Sequence, residues 1–327
     1  IKSNLNFMGK NMYEEFSFIE KKLQPLTFGN KAARSLKDDC SFFSKVNDLV
    51  ISVDNSIEGI HVPLGTDSQI QARRAVLRAL SDIATFGASP LCILSSISIP
   101  NNFKKNIFDK IASGFKDALI EYEMFLAGGD ITIYEGPLSF SITVLGRNGV
   151  ENLGRTGAKN GDLIVLSGDI GSSFIGLKLL QNKISQEKVD NYTFFTNKFL
   201  VPFPRIELGK LISSFSTSII DISDGLISDL NHICSQSNLG ARININNIPV
   251  SKIAKNLMNS KIISFSDLIT AGDDYELLYT INPKDSEKID EDSIIIGEMF
   301  KDSECKVVDE NNKIIISDKG LTGYKHF

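Results

Sequence analysis

The stretch Ser218–Leu230, SIIDISDGLISDL, constrains this chain more than any other. A β-branched run, Ile219 and Ile220, meets Asp221. Ser223, Asp224 and Gly225 follow, and an apolar-periodic segment then runs from Leu226 to Ile233. The pattern predicts a strand, a turn and a helix. Asp221 and Asp224 straddle the turn. Two carboxylates held about 4 Å apart repel by roughly 4 kcal/mol at an effective dielectric near 20. A fold that places both at one strand end usually has a cation there; the alternative is that Ser223 or Asp224 simply caps the following helix.

Similar acids recur along the chain. Asp38 and Asp39 sit in a polar loop, and Asp54 ends the strand predicted at Leu49–Val53. Thr66–Phe86 has helical periodicity, with Ala72, Ala75, Val76, Ala79, Leu80 and Ile83 on one face, Asp82 near its end and Gly87 closing it. Leu91–Ile99 predicts a strand and Phe103–Tyr122 a helix. Met124–Ala127 predicts a short strand opening into a turn at Gly128-Gly129-Asp130. Asp273 precedes a strand predicted at Tyr275–Ile281. One such aspartate is as readily a capping or solvated residue. Recurrence in both halves favours an oxygen-rich site for Mg2+. Such a site neutralises polyanions, which is the electrostatic requirement of phosphoryl transfer.

The other candidates are weaker alone. Gly129 and Asp130 lie where a backbone without Cβ could approach phosphate, and a plain turn explains the glycines equally well. Arg155, in GRTGAK, could clamp phosphate oxygens or be a surface arginine. His61, after the strand ending in Asp54, is more often structural. Neither a GxxxxGK[ST] loop nor GxGxxG is present, so ATP use would lie outside the P-loop and protein-kinase schemes.

The chain's 327 residues fit two domains. The division expected is a ragged segment over 1–12, an N-terminal domain over 13–148 and a C-terminal domain over 149–327. Tyr13–Leu23 opens the first as a helix stopped by Pro25. Strands and helices in mixed succession, with hairpins, indicate an α+β fold. With 35 basic against 40 acidic residues, net charge −5, nucleic acid is not an expected partner. No apolar run approaches the ~20 residues of a membrane span, and no secretory leader is visible. Cys40, Cys92, Cys234 and Cys305 form no CxxC pair, and the histidines are few. The cysteines read as reduced, partly buried fillers in a cytoplasmic protein, and a zinc site is not expected. The chain opens on Ile1, so Met8 and Met12 are candidate starts.

Taken together, KDDCS (Lys37–Ser41), SVDNSIEGIH (Ser52–His61), LSDIATFGASP (Leu80–Pro90), AGGDIT (Ala127–Thr132), GRTGAKNGD (Gly154–Asp162), DISDGLISDLNHI (Asp221–Ile233), AGDDYELLYT (Ala271–Thr280) and GYKHF (Gly323–Phe327) resemble the thiamine-monophosphate kinase family. That family shares a superfamily with aminoimidazole ribonucleotide synthetase and selenophosphate synthetase. The resemblance implies two α+β domains, with N-terminal strands forming a barrel at a homodimer interface, a C-terminal α/β sandwich, and an active site in the cleft between domains. It implies direct in-line, Mg-assisted transfer from ATP to thiamine monophosphate, giving thiamine diphosphate. Carried over by position, Asp39, Ser52, Asp54, Asp82, Asp130, Asp221 and Asp224 would hold Mg2+. Gly129, Asp130, Arg155 and Ser223 would contact ATP; His61, Asp273 and Tyr324 would contact thiamine monophosphate. Asp221, Asp224 and Arg155 would be catalytic.

The chain departs from the usual family pattern at Leu36-Lys37, before the paired aspartates; at Val53, where a hydroxyl is usual; at Val62, for an aromatic; and at Asp273, for a glutamate. The alternatives are another ATP-using enzyme of the superfamily, of ribonucleotide or selenophosphate synthetase type, or a catalytically silent nucleotide-binding homologue.

Overall fold

The computed structural model describes residues 17–38, 40–104, 106–301 and 304–317. The chain divides into two compact units. One comprises residues up to Ile83 together with Pro90–Asn148; the other comprises Ala84–Ser89 with the residues from Gly149 on.

The first unit is built on β1 (Val50–Ile57), α1 (Ser68–Ala84), β2 (Ser89–Pro100), α2 (Ile107–Glu121), β3 (Phe125–Tyr134) and β4 (Ser139–Arg147). The apolar face expected on α1 is the buried one: Ala72, Val76, Ala79, Leu80 and Ile83 are fully enclosed. The helix expected over Tyr13–Leu23 is different. Its first residues lie outside the described ones, and Ile19–Leu23 form a wide π-type turn. Pro25 stops that turn and also opens a short 3-10 turn, where its missing N–H is not needed.

The strands form one sheet in the order β1-β4-β2-β3. β1 runs antiparallel to β4, and β2 parallel to β3. Among the described residues no sheet is closed: β1 and β3 are edges with β4 and β2 between them. The barrel expected at a dimer interface is therefore not a feature of the single chain, because closure would require another strand at those edges. Along β1 burial alternates, with Ile51 and Val53 outward at 58% and 63% exposure.

β3 is longer than its apolar pattern suggests. The turn expected at Gly128-Gly129-Asp130 is instead the middle of the strand, paired to Leu94, Ser95 and Ser96 of β2. The glycine serves that pairing: a Cβ on Gly129 would stand 2.2 Å from the Ser95 carbonyl oxygen. An extra residue, Ala127, is accommodated between the pairs Ile93–Leu126 and Leu94–Gly128. This bulge lets Phe125, Leu126 and Ala127 all be buried.

The second unit carries β5 (Leu163–Leu166), α3 (Ser172–Leu180), α4 (Tyr192–Leu200), α5 (Ile206–Ile212), β6 (Ser216–Asp221), α6 (Leu226–Ser237), β7 (Gly240–Asn244), α7 (Lys252–Asn259), α8 (Phe265–Thr270), β8 (Leu277–Ile281), β9 (Ile294–Phe300), β10 (Cys305–Val308) and β11 (Ile314–Ser317). Its sheet has the order β11-β10-β7-β9-β5-β8-β6. The strand–turn–helix expected at Ser218–Ile233 is present as β6, Ile222–Gly225 and α6. Leu226, Leu230 and Ile233 anchor α6 in a core with Ile220, Ile164 and Leu278. The whole chain is mixed α+β. Of the cysteines, Cys92, Cys234 and Cys305 are buried, but Cys40 is exposed rather than partly buried. No described helix is long and apolar enough to cross a membrane.

Candidate active site

In the second unit the register of β6 against β8 assembles the site. Asp221, the last residue of β6, pairs with Leu277, the first of β8. The turn after β6 therefore meets the segment before β8. Ile222 N donates to Glu276 O at 2.8 Å, Tyr275 N to Ile222 O at 2.8 Å, and Asp273 N to Ser223 O at 2.9 Å. Gly272 lets the two segments touch, because a Cβ there would lie 1.9 Å from Ser223 O. Ser223 and Asp273, far apart in sequence, are thus hydrogen-bonded neighbours. Asp273 and Tyr275 hold left-handed φ values of 68° and 54°, uncommon for residues with a Cβ.

Asp221 is buried, and Asp224 leads the turn into α6. The expectation that Asp224 caps α6 is not met: the cap position is Gly225, with no side-chain cap bond. The acid that organises the turn is Asp229, inside the helix. Its Oδ2 accepts from the backbone N–H groups of Ser223, Asp224 and Gly225, each at 3.1 Å. Burial pushes the Asp229 carboxyl up to about 8, and the charges of Asp221 and Asp224 push the same way. The three N–H groups of this turn are thus engaged by one side chain of the chain itself.

His232 stands one helical turn beyond Asp229. Atoms of Asp224, Asp229 and His232 lie within 4.8 Å of one another. Burial lowers the His232 imidazole, as does the Arg155 guanidinium, while Asp224 opposes them. Arg155 therefore belongs to the same neighbourhood as Asp224. Asp229 and His232 were not among the expected site residues. Their signal was the spacing: residues three and four apart share a helix face.

Beside this turn, Glu276 is buried. It accepts Nε and Nη2 of Arg205 at 2.8 and 2.7 Å and the Ser167 hydroxyl at 2.6 Å. Asp274 accepts from Gly171 N at 2.8 Å and Ser173 N at 3.4 Å, at the start of α3. Burial holds the Asp274 carboxyl well above its usual range, and nearby Glu276 and Asp169 add to this.

In the first unit, the Ser52 hydroxyl of β1 donates to Asp82 Oδ2 on α1, joining two expected ligands. Asp54 lies 3.3 Å from the Arg78 guanidinium, which also donates to Asn55 O at 3.1 Å. His61 Nδ1 accepts from Ile57 N at 3.0 Å. Gly129 and Asp130 are exposed on β3, the opposite edge from β1, so nothing in the strand pairing brings Asp130 to Asp54. Asp39 and Tyr324 lie outside the described residues.

Carboxylate and hydroxyl oxygens predominate among these groups, with the His232 imidazole beside Asp224 and Asp229, and such oxygens suit a hard cation such as Mg2+. Asp221 and Asp224, both near enough to raise the Asp229 carboxyl, carry charge that such a cation would offset.

A family model described as "AIR synthase related protein, N-terminal domain" matches residues 37–148. A thiamine-monophosphate kinase of Buchnera aphidicola subsp. Schizaphis graminum is 36% identical, over 96% of this chain and 99% of that protein. The chain belongs to the thiamine-monophosphate kinase family. The Escherichia coli K12 member is 34% identical over 75% of each chain. Among solved structures, "AaThiL complexed with AMPPCP and TMP" matches with TM-score 0.74 and 26% identity, covering 85% of this chain and 87% of that one. The thiamine-monophosphate kinase from Stenotrophomonas maltophilia K279a matches with TM-score 0.72 and 27% identity, covering 83% and 89%. The hydrogenase maturation protein HypE, at 16% identity and TM-score 0.73, shares the fold.

Proposed function

We propose that this chain phosphorylates thiamine monophosphate with ATP, giving thiamine diphosphate. The observation that carries the reading is the joined pair of segments, 222–225 and 271–276, which bring an acid-bearing turn beside Asp273. A relative of the same fold is described with an ATP analogue and TMP bound, which supports the choice of ligands.

In this reading Ser52, Asp54, Asp82, Asp130, Asp221 and Asp224, with Asp39, hold Mg2+. Bound Mg2+ supplies neutralisation of phosphate charge. Gly129, Asp130, Arg155 and Ser223 contact ATP, and the Arg155 guanidinium offers paired donors to phosphoryl oxygens. His61 and Asp273, with Tyr324, hold thiamine monophosphate. Asp221, Asp224 and Arg155 are the catalytic set. No general base is assigned, because a phosphate monoester with a second pKa of about 6 is already a dianion near neutral pH. Attack is direct and in line, and the work of the protein is positioning and charge compensation.

We also assign the N-terminal domain to 13–148 and the C-terminal domain to 149–327, with cytoplasmic localisation. A homodimer is supported by the outward apolar pair Ile51 and Val53 on the edge strand β1, and a barrel would then form across two copies.

The test is incubation with Mg–ATP and thiamine monophosphate, following thiamine diphosphate by chromatography. Nucleotide binding without product would favour a silent homologue. Turnover of formylglycinamidine ribonucleotide in place of thiamine monophosphate would favour a synthetase.

A further inference from the structure

We propose that Asp229 is a positioning residue: by collecting three successive backbone N–H groups, it fixes the turn that presents Ser223 and Asp224 to Mg-nucleotide. The Mg-nucleotide part rests on the kinase reading; the clamp itself rests on geometry alone.

The bonds go to Ser223, Asp224 and Gly225, not to the first turn of α6. A capping side chain satisfies donors at the second or third helical residue. Asp229 instead reaches backward from within the helix to residues at and before its start. Its own N–H is committed to Gly225 O at 3.0 Å, the first bond of α6, which fixes where the carboxylate emerges. Successive N–H groups turned to one point form an anion nest. Here the nest is filled by a carboxylate that is 2% exposed. Gly225 permits the arrangement with φ at 111°, and a Cβ there would meet Thr270 O at 2.6 Å. On its other side the turn is held by Asp273 N and Gly272 against Ser223 O. Both sides of the backbone carrying the Ser223 hydroxyl and the Asp224 carboxylate are thus engaged.

The charge of Asp229 and its hydrogen bonds are separable. Asp229→Asn keeps an oxygen that can accept all three N–H bonds, whereas Asp229→Ala keeps none. Binding of Mg–AMP-PNP by calorimetry and amide exchange at 223–225 are the readouts, with turnover as a third. Loss of an orienting partner costs about tenfold to a hundredfold in affinity. We therefore expect Asp229→Ala to bind the Mg-nucleotide at least tenfold more weakly and to exchange faster at 223–225. Asp229→Asn should stay within about threefold of wild type on both. If Asp229→Ala does not fold, Asp229→Ser, too short to reach the nest, takes its place. Alanine or serine variants that match wild type overturn the proposal. So does an asparagine variant as weak as alanine, since charge and not the clamp would then matter. A wild-type chain that binds Mg-nucleotide but makes no thiamine diphosphate removes the kinase reading, while the exchange and binding comparison still decides the role of Asp229.

Discussion

The Tyr275 hydroxyl donates to Asp273 Oδ1 at 2.7 Å, and both residues hold left-handed backbone angles. Such conformations persist where the surroundings over-determine them, and they concentrate at ligand sites. The bond fixes the carboxylate proposed to meet thiamine monophosphate. Tyr275→Phe removes it at a cost of about 1 kcal/mol, which is about fivefold in affinity. Steady-state kinetics should show KM for thiamine monophosphate raised by that factor and KM for ATP unchanged. Equal changes in both would take Asp273 out of the substrate pocket.

Adjacent glycines on β3 should behave differently. A Cβ on Gly129 would stand 2.2 Å from Ser95 O, but one on Gly128 has 3.6 Å to its nearest neighbour, Ser41 Oγ. Gly129→Ala should destabilise the fold by about 1–3 kcal/mol. Gly128→Ala should change it by no more than about 0.5 kcal/mol. Urea unfolding of the two variants makes the comparison.

The Asp274 carboxyl is held above the ordinary value of 3.8 by burial, with Glu276 and Asp169 adding to the effect. Above that value the unfolded chain has released this proton and the folded chain has not. Stability therefore falls as pH rises from about 4 through the folded value, by up to about 1.4 kcal/mol per pH unit. Asp274→Asn removes this contribution. Urea midpoints plotted against pH should have a flatter decline in the variant; parallel curves would show that Asp274 ionises normally.

Thiol chemistry should separate the cysteines. Cys40 is exposed, while Cys92, Cys234 and Cys305 are buried, and burial pushes the Cys92 thiol up to about 12. Only thiolates react readily. A chromogenic disulfide reagent should label Cys40 quickly in the native protein and the others only after unfolding, as peptide mapping would show.

Glu276 receives both Arg205 nitrogens and Ser167 within a buried setting. Glu276→Ala leaves the half-buried guanidinium without that partner, which costs about 2–4 kcal/mol. Thermal unfolding should reveal it as a large drop in Tm, whereas Glu207→Ala, at the exposed Lys210 pair, should move Tm little.

Periodicity identified α1 and the strand–turn–helix around Asp221 because those elements bury a regular apolar face. It failed at β3, where the apolar run ends at Ala127 but pairing with β2 carries the strand on to Tyr134. Consecutive glycines look like a turn until the carbonyl they make room for is known. Asp229 and His232 escaped for a related reason: polar residues on a helix resemble a solvated face, and only the packed turn reveals what they touch. Asp221, Asp224 and Arg155 were singled out from their types and spacing. That Arg155 shares the neighbourhood of Asp224 was not legible, because its segment is brought to β6 by a bond between residues distant in sequence, Ile219 N to Gly154 O at 2.7 Å.

The bulge at Ala127 decides more than local pairing. Side chains alternate along a strand, so one added residue reverses every side chain beyond it unless a bulge absorbs it, as the bulge does for Ala127. Asp130 lies three residues past that extra position. Deleting Ala127 would remove the bulge and leave Asp130 opposite Ser96, whereas an added residue with no bulge to absorb it would turn the acid to the opposite face of the sheet. The parity of the strand is thus inherited along with its residues, and aligning the motif alone does not establish that a related chain presents the same acid.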